Sequence, residues 1–329
     1  MISKMKIAVT GGSGFLGSHI TRRLLDDGHE VVVIANFTSG DKHNLTNLGA
    51  KPKLLVGDLR RAGFAARTLK SVDKVYHLAA DIGNVVYLHG SETREQSALK
   101  NNVAIDTNVF KACVENKVKT IIYASSVSVY PKSEQMGQRV AFKEEDSERL
   151  IDPEGGYGWA KYVAERQLAV LADIKVGIAR IFHAYGPNIY LKEDRSQVIG
   201  SLIRKAIRYP EEGFVVWGDG TQRRAFLYID DFLDGLFRLD RYVETKGKLT
   251  VNLGSTEETT IKALAEKVID ISGKRITPKY DPSKPVGVLR RLPDLTRAEK
   301  TLGWKPKTKL ADGLAKTYEW AERSIASWS

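Results

Sequence analysis

Three glycines spaced by three, Gly11, Gly14 and Gly17, follow the apolar run Ile7-Ala8-Val9. They open an amphipathic stretch in which Leu16, Ile20 and Leu24 recur on one face. Glycine costs about 0.5–1 kcal/mol relative to alanine inside a helix or strand, so three at one junction need a reason. A strand, a glycine turn and a helix start, in that order, supply one. The first N–H groups of the helix face an anion, and the missing side chains let a phosphate come close. On this reading Gly11 makes the tight turn, Gly14 lets backbone approach a pyrophosphate, and Gly17 lets the helix pack on the strand. Gly28 suits the left-handed position that ends the helix.

The rest of the first half repeats this rhythm. β-Branched runs at 6–9, 30–34, 53–56, 74–78, 120–124 and 175–180 alternate with helical patterns. That alternation predicts right-handed crossovers and an α/β fold with a doubly wound parallel sheet. After Arg180 the rhythm loosens. A helix is expected over 260–272, capped by Thr259 or Thr260 and ended by Gly273. Pro278, Pro282, Pro285 and Pro293 then break the chain into loops. The expected division is a dinucleotide-binding domain over 1–180 with a return segment at about 222–254. A smaller C-terminal α/β substrate lobe follows from 181–221 and 255–329. The 329 residues contain no apolar run of the ~18–20 residues that span a bilayer, and no signal peptide is read at the N-terminus. The single cysteine, Cys113, excludes an intrachain disulfide and sits in a core-like helical pattern. Both point to a reducing cytoplasm. The net charge of +11 suits nucleic acid or a small phosphorylated ligand. The basic residues are scattered, and no basic run is interleaved with aromatics, so the small ligand is expected.

Further residues favour a dinucleotide. Asp58 follows the third strand and can accept from an adenine amino group, or simply shape a turn. Leu78, Ala79 and Ala80 follow the fourth, where small residues let a ribose and phosphate lie close. The second strand ends in Ala35-Asn36 rather than in the acid that bonds an NAD ribose. Asn36 can still bond a hydroxyl, and NADP stays open. Tyr157 and Lys161, four apart, share a helix face. An ammonium there is expected to lower the pKa of the phenol, which can then take a proton from a sugar hydroxyl as hydride leaves the same carbon. Ser125 or Ser126, at the end of the fifth strand, can bond that hydroxyl.

These segments together resemble the extended short-chain dehydrogenase/reductases, the nucleotide-sugar epimerase/dehydratase family. The resemblance runs over nearly the whole chain. It is carried by Thr10-Gly11-Gly12-Ser13-Gly14-Phe15-Leu16-Gly17, Asp58-Leu59, His77-Leu78-Ala79-Ala80, Asn102-Val103, Ser125-Ser126 with Tyr130, Tyr157 with Lys161, Tyr185-Gly186-Pro187, the run 218–226 and Leu302-Gly303-Trp304-Lys305-Pro306. It implies a Rossmann-like sheet, NAD as cofactor, and a homodimer paired through helices near 103–115 and 159–171. It places Phe15, Leu16, Leu59 and Asn102 around the cofactor as well. Ser126, Tyr157 and Lys161 match the catalytic set, and Arg224 and Arg291 match arginines that grip a substrate diphosphate.

The departures bear on the reaction. Dehydratases of the family carry Asp-Glu just after the catalytic Ser/Thr, where this chain has Val127-Ser128. The glutamate usual in the decarboxylases is missing too. Several segments are most similar to GDP-mannose 3,5-epimerases, but Ser128 and Gln197 align with the cysteine and lysine of their acid/base pair. His183 stands where most relatives have asparagine, beside the expected sugar, as a contact, an acid/base or a packed core residue. The leading expectation is a nucleotide-diphosphate-sugar 4-epimerase with tightly held NAD. An NADP-dependent 4-keto-sugar reductase, a 3,5-epimerase and a non-catalytic RNA- or protein-binding relative are the alternatives. No metal, membrane or nucleic-acid partner is expected.

Overall fold

The computed structural model describes residues 4–46, 48–137 and 141–326; the outermost ends of the expected domain ranges lie outside them. Seven strands form one parallel sheet: β1 (Lys6–Thr10), β2 (Glu30–Ala35), β3 (Lys53–Val56), β4 (Lys74–His77), β5 (Thr120–Ser126), β6 (Lys175–Ile181) and β7 (Lys248–Leu253). Their spatial order is β7-β6-β5-β4-β1-β2-β3. The order reverses between β1 and β4, the place where such a sheet opens a crevice at its carboxyl end.

Apart from β3, an exposed edge strand, the strands are apolar runs because both sheet faces are covered. Neighbouring residues of one strand feed different cores. Ile7, Val9, Val31 and Val33 pack on one side, whereas Ala8, Val32 and Ile34 pack on the other with Val109, Phe110 and Cys113. The first side is covered by α1 (Phe15–Asp26), and the second by α2 (Glu92–Glu115) and α3 (Gly155–Ala169), which lie against each other.

Beyond β6 the chain leaves the sheet for α4 (Val198–Ile207) and returns through α5 (Ile229–Lys246), which packs on β6 and β7. The smaller lobe holds short strand pairs. Arg223–Ala225 lies between Glu258–Thr260 and Arg290–Arg291, and Val215–Trp217 pairs with Lys279–Asp281. Two of these pieces fall in the proline-rich stretch expected to be loops; edge pairing of two or three residues fits between prolines without using their missing N–H groups. The helix Ile261–Ser272 starts at Thr260, whose hydroxyl accepts from Ala263 N–H at 3.0 Å, and stops at Gly273 with φ +65°. Trp304 is buried and donates its indole N–H to the Asp231 carbonyl at 3.0 Å, fastening the C-terminal segment to α5.

Candidate functional site

A cleft of about 690 Å³ opens at the reversal point between the two lobes. The turn after β1 forms one wall. Gly11 has φ +67°, and a Cβ there would meet the Ala79 backbone at 3.0 Å. A Cβ on Gly17 would stand 2.2 Å from the Gly11 carbonyl oxygen, so the helix could not sit this close to the turn. Gly14 differs, because its missing Cβ faces open cleft, with one neighbouring atom within 4 Å. Helix α1 begins there with no side-chain cap and no acidic residue in its first turn. Its leading N–H groups are therefore available to an anion.

Leu78, Ala79 and Ala80 form the adjacent wall. The Thr10 hydroxyl oxygen accepts from the N–H groups of Leu78 and Ala79, both at 3.1 Å. With both lone pairs taken, its own proton goes to His77 Nδ1 at 2.6 Å. His77 thus carries its proton on Nε2 and donates it to Asp106 at 2.9 Å, while the Tyr123 hydroxyl donates to the other Asp106 oxygen, also at 2.9 Å. This buried network runs under the floor of the cleft. Sequence reading had not singled out Thr10, Asp106 or Tyr123.

At the centre stand Ser126, Tyr157 and Lys161. Strand alternation separates the two serines. Ser125 donates to Glu165 at 2.5 Å, whereas Ser126 Oγ accepts from Ser128 N–H at 3.1 Å and lines the cleft with the Tyr157 phenol. Lys161 Nζ donates to the Ala124 carbonyl at 3.0 Å and lies 4.5 Å from the Tyr123 ring centroid and 5.8 Å from that of Tyr157. The expectation that the lysine lowers the phenol's pKa fails in this structure. Burial pushes the Tyr157 pKa up, the Asp106 carboxylate adds to the rise, and the Ser126 hydrogen bond opposes it. Burial also lowers the Lys161 pKa, against Asp106 and Glu165.

Arg224, Arg291, Glu154, Ser128 and His183 line the cleft on the side of the smaller lobe. Arg224 donates only to the carbonyls of Arg223, Val288 and Leu289, and has no carboxylate within ion-pair distance among the described residues. Burial, with Arg291 adding, pushes its pKa down to about 9. Arg291 donates to Gln135 at 2.6 Å and is ion-paired with Glu154. Burial, the largest effect, opposes ionisation of Glu154, but the charges of Arg291, His89 and Arg224 and the Arg291 hydrogen bond together outweigh it and hold the carboxyl below its usual range. His183 has φ +46° and a buried Nε2 without a partner. Burial, then Arg224 and Arg291, push its imidazole well below the ordinary histidine range, so it is neutral at pH 7.

Of the residues singled out from sequence, Gly11, Gly14, Phe15, Leu16, Gly17, Asn36, Asp58, Leu59, Leu78, Ala79, Ala80, Ser126, Ser128, Tyr157, Lys161, His183, Gln197, Arg224 and Arg291 all line this cleft. Asn102 is the exception and needs correcting. It is buried behind the wall, and its amide is spent on the backbone N–H and C=O of Asp81 and the carbonyl of Ala98. Asp58 lines the cleft and shapes a turn there, accepting from the Arg60 side chain and N–H. Glu154 was missed; only its place three residues before Tyr157 hinted at it.

A parallel sheet with a glycine turn at its reversal point, opposite a buried Ser-Tyr-Lys group, defines a dinucleotide-dependent enzyme. Residues 7–254 match the model of the NAD dependent epimerase/dehydratase family. GDP-mannose 3,5-epimerase 1 of Oryza sativa subsp. indica is 33% identical over 325 residues, 98% of this chain and 83% of that one. UDP-glucose 4-epimerase of Thermotoga maritima, solved with UDP-glucose, superposes with a TM-score of 0.84 at 25% identity, over 98% of this chain and 100% of that one. UDP-glucuronic acid 4-epimerase of Bacillus cereus, solved with UDP-glucuronic acid and NAD, gives 0.82 at 28% identity, over 98% and 100%. The chain belongs to the NAD-dependent epimerase/dehydratase family. It is an enzyme, and its cofactor is NAD. The uncapped start of α1 and the open space at Gly14 fit a pyrophosphate.

Proposed function

We propose that this enzyme epimerises a nucleotide-diphosphate sugar at carbon 4. The observation that carries the reading is the convergence of Ser126, Tyr157 and Lys161 in the same cleft as the glycine turn. Bound NAD supplies reversible hydride acceptance. Tyr157 takes the proton of the sugar hydroxyl as that carbon is oxidised, and returns one when it is reduced. Ser126 bonds the same oxygen, and the Lys161 ammonium, held by the Ala124 carbonyl, stands in the same cleft 5.8 Å from the phenol ring centroid. The resulting 4-keto sugar turns over between the two transfers. Gly11, Gly14, Phe15, Leu16 and Gly17 hold the pyrophosphate; Asn36 faces the adenosine ribose, Asp58 and Leu59 the adenine, and Leu78 to Ala80 the nicotinamide side. Arg224 and Arg291 grip the substrate diphosphate. The protein works in the cytoplasm as a homodimer, pairing α2 and α3 with those of a second copy; Leu99 and Trp159 on these helices are exposed in the single chain.

The similarity to the rice protein favours a second reading, epimerisation at carbons 3 and 5. Ser128 and Gln197 line the cleft where the resemblance expects that reaction's acid/base pair, and neither titrates near neutral pH. Nuclear magnetic resonance in D2O separates the two. NAD-loaded protein with UDP- and GDP-hexoses should invert carbon 4 with no deuterium on carbon and no accumulation of reduced cofactor. Deuterium at carbon 3 or 5 would establish the second reading instead. Net cofactor consumption would make the enzyme a reductase.

A further inference from the structure

Among the carboxylates that line the cleft, Glu154 takes no part in the chemistry at Tyr157 and stands beside Ser128. Glu154 is 7% exposed and caps the start of α3. Its N–H donates to the Ser128 carbonyl at 2.8 Å, and the Ser128 hydroxyl lies 3.4 Å from its carboxylate. The backbone therefore pins this side chain beside Ser128, two residues after Ser126. Its carboxylate meets the Arg291 guanidinium, whose Nε is already given to Gln135 at 2.6 Å.

The charges around this point are few. Arg224 and Arg291 are two cations, Glu154 is one anion and His183 is neutral, so one positive charge remains; His89 is bonded to Glu95 at 2.6 Å and Lys161 to the Ala124 carbonyl at 3.0 Å. Other basic side chains of the cleft are engaged elsewhere. Lys205, on α4, donates to the Val215 carbonyl at 2.7 Å, and Arg195 lies within ion-pair distance of Asp81 and Asp194. A diphosphate diester brings two negative charges, for which Arg224 is wholly free and Arg291 only partly, because Glu154 holds it. A carboxylate on the sugar would be a third. Its nearest cation beside Ser128 would be Arg291, which Glu154 already neutralises. Two carboxylates cannot share one buried guanidinium without strong repulsion.

We infer that Glu154 is a specificity-determining residue, whose ion pair with Arg291 makes this cleft take nucleotide diphosphates of neutral sugars and reject those of uronic acids. The inference rests on the nucleotide-sugar reading above. The fold does not decide the matter: its neighbours include one solved with UDP-glucose and one solved with UDP-glucuronic acid. Side chains at the sugar must decide it.

Calorimetric titration of the NAD-loaded protein with two matched pairs, UDP-glucose against UDP-glucuronic acid and GDP-mannose against GDP-mannuronic acid, tests it. In whichever pair binds, the neutral member should bind at least tenfold more tightly. Glu154→Gln, which frees Arg291, should cut that ratio below threefold by tightening the uronate. Glu154→Asp, which keeps the charge, should preserve the preference and guards against a folding defect in the first variant. A uronate that binds as well as its neutral partner overturns the inference and leaves the nucleotide-sugar reading standing, as does a ratio unchanged in Glu154→Gln. If no member of either pair binds, the nucleotide-sugar reading itself fails, and the inference with it.

Discussion

From Gly11 to Gly17 the wall of the cleft is backbone, set by one short turn. At Ser128, Glu154, Arg224 and Arg291 it is side chains, delivered by separate segments of the chain. The first wall recognises a group by presenting N–H donors and by leaving room. The second recognises by charge, and it does so with one arginine free of any carboxylate and one already paired. A backbone wall tolerates little change in shape, because a Cβ at Gly17 meets a carbonyl oxygen at 2.2 Å. A side-chain wall can be retuned one charge at a time. Within one fold, a wall made of backbone is thus held nearly fixed, while a wall made of side chains is open to variation.

Tyr157, where the two walls meet, gives the largest expected effect. Tyr157→Phe removes the proton acceptor and keeps the ring that fills the site. Turnover should fall by about 10²–10⁴-fold, while calorimetry still finds both NAD and sugar nucleotide bound. Retained turnover would break the mechanism; lost binding of either ligand would show that the phenol hydroxyl serves a wall and not the reaction.

The next effect belongs to the side-chain wall alone. Arg224→Met deletes the guanidinium without a carboxylate partner. Loss of charge-assisted hydrogen bonds worth about 1.5–3 kcal/mol should raise the sugar-nucleotide Kd by roughly 10- to 100-fold. NAD content of the purified protein should not change. If NAD is lost as well, the two walls are not separate.

Gly17→Ala is the counterpart on the backbone wall. The contact at 2.2 Å is with a carbonyl of the turn itself, so the turn or the helix must shift. Overpacking of this kind costs about 1–3 kcal/mol. The midpoint of urea unfolding should fall, and bound NAD with it, while the folded fraction keeps its preference among sugars.

The same contrast explains what the amino-acid sequence reveals. The strands at 6–9, 30–34, 53–56, 74–78, 120–124 and 175–180 appear in the structure within two residues of the expected ends, because all but the exposed edge strand at 53–56 are largely buried and must be short apolar runs. β7, Lys-Leu-Thr-Val-Asn-Leu, is the one sheet strand whose bounds were not read; its alternating pattern resembles any half-exposed segment. The glycine turn is legible since its determinants lie within seven residues. Glu154 was not, because the residue that defines its state, Arg291, lies 137 positions away. Asn102 shows the converse: its motif was found and its role misread, since only coordinates reveal that both ends of its amide are turned to the Asp81 backbone. The phenol's pKa was misjudged for a similar reason. Spacing on a helix reports the lysine four residues on, but not the burial, nor Asp106 on a neighbouring helix.

Asp106 gives the smallest effect and the sharpest link between the walls. Its carboxylate accepts from His77, which through Thr10 holds the Leu78–Ala79 backbone, and from Tyr123, over whose ring Lys161 Nζ lies. Asp106→Asn keeps an acceptor for His77 and removes the charge. That charge raises the Tyr157 pKa and supports the protonated form of Lys161. Without it the phenolate appears at lower pH, and the ammonium is lost at lower pH. Both limbs of the kcat/KM profile should therefore move to the acid side together, with maximal turnover changing less than for Tyr157→Phe. A profile that narrows, with only one limb displaced, would mean that the carboxylate acts on one member of the pair. An unmoved profile accompanied by loss of NAD would assign Asp106 to the backbone wall through Thr10, and separate it from the proton transfer altogether.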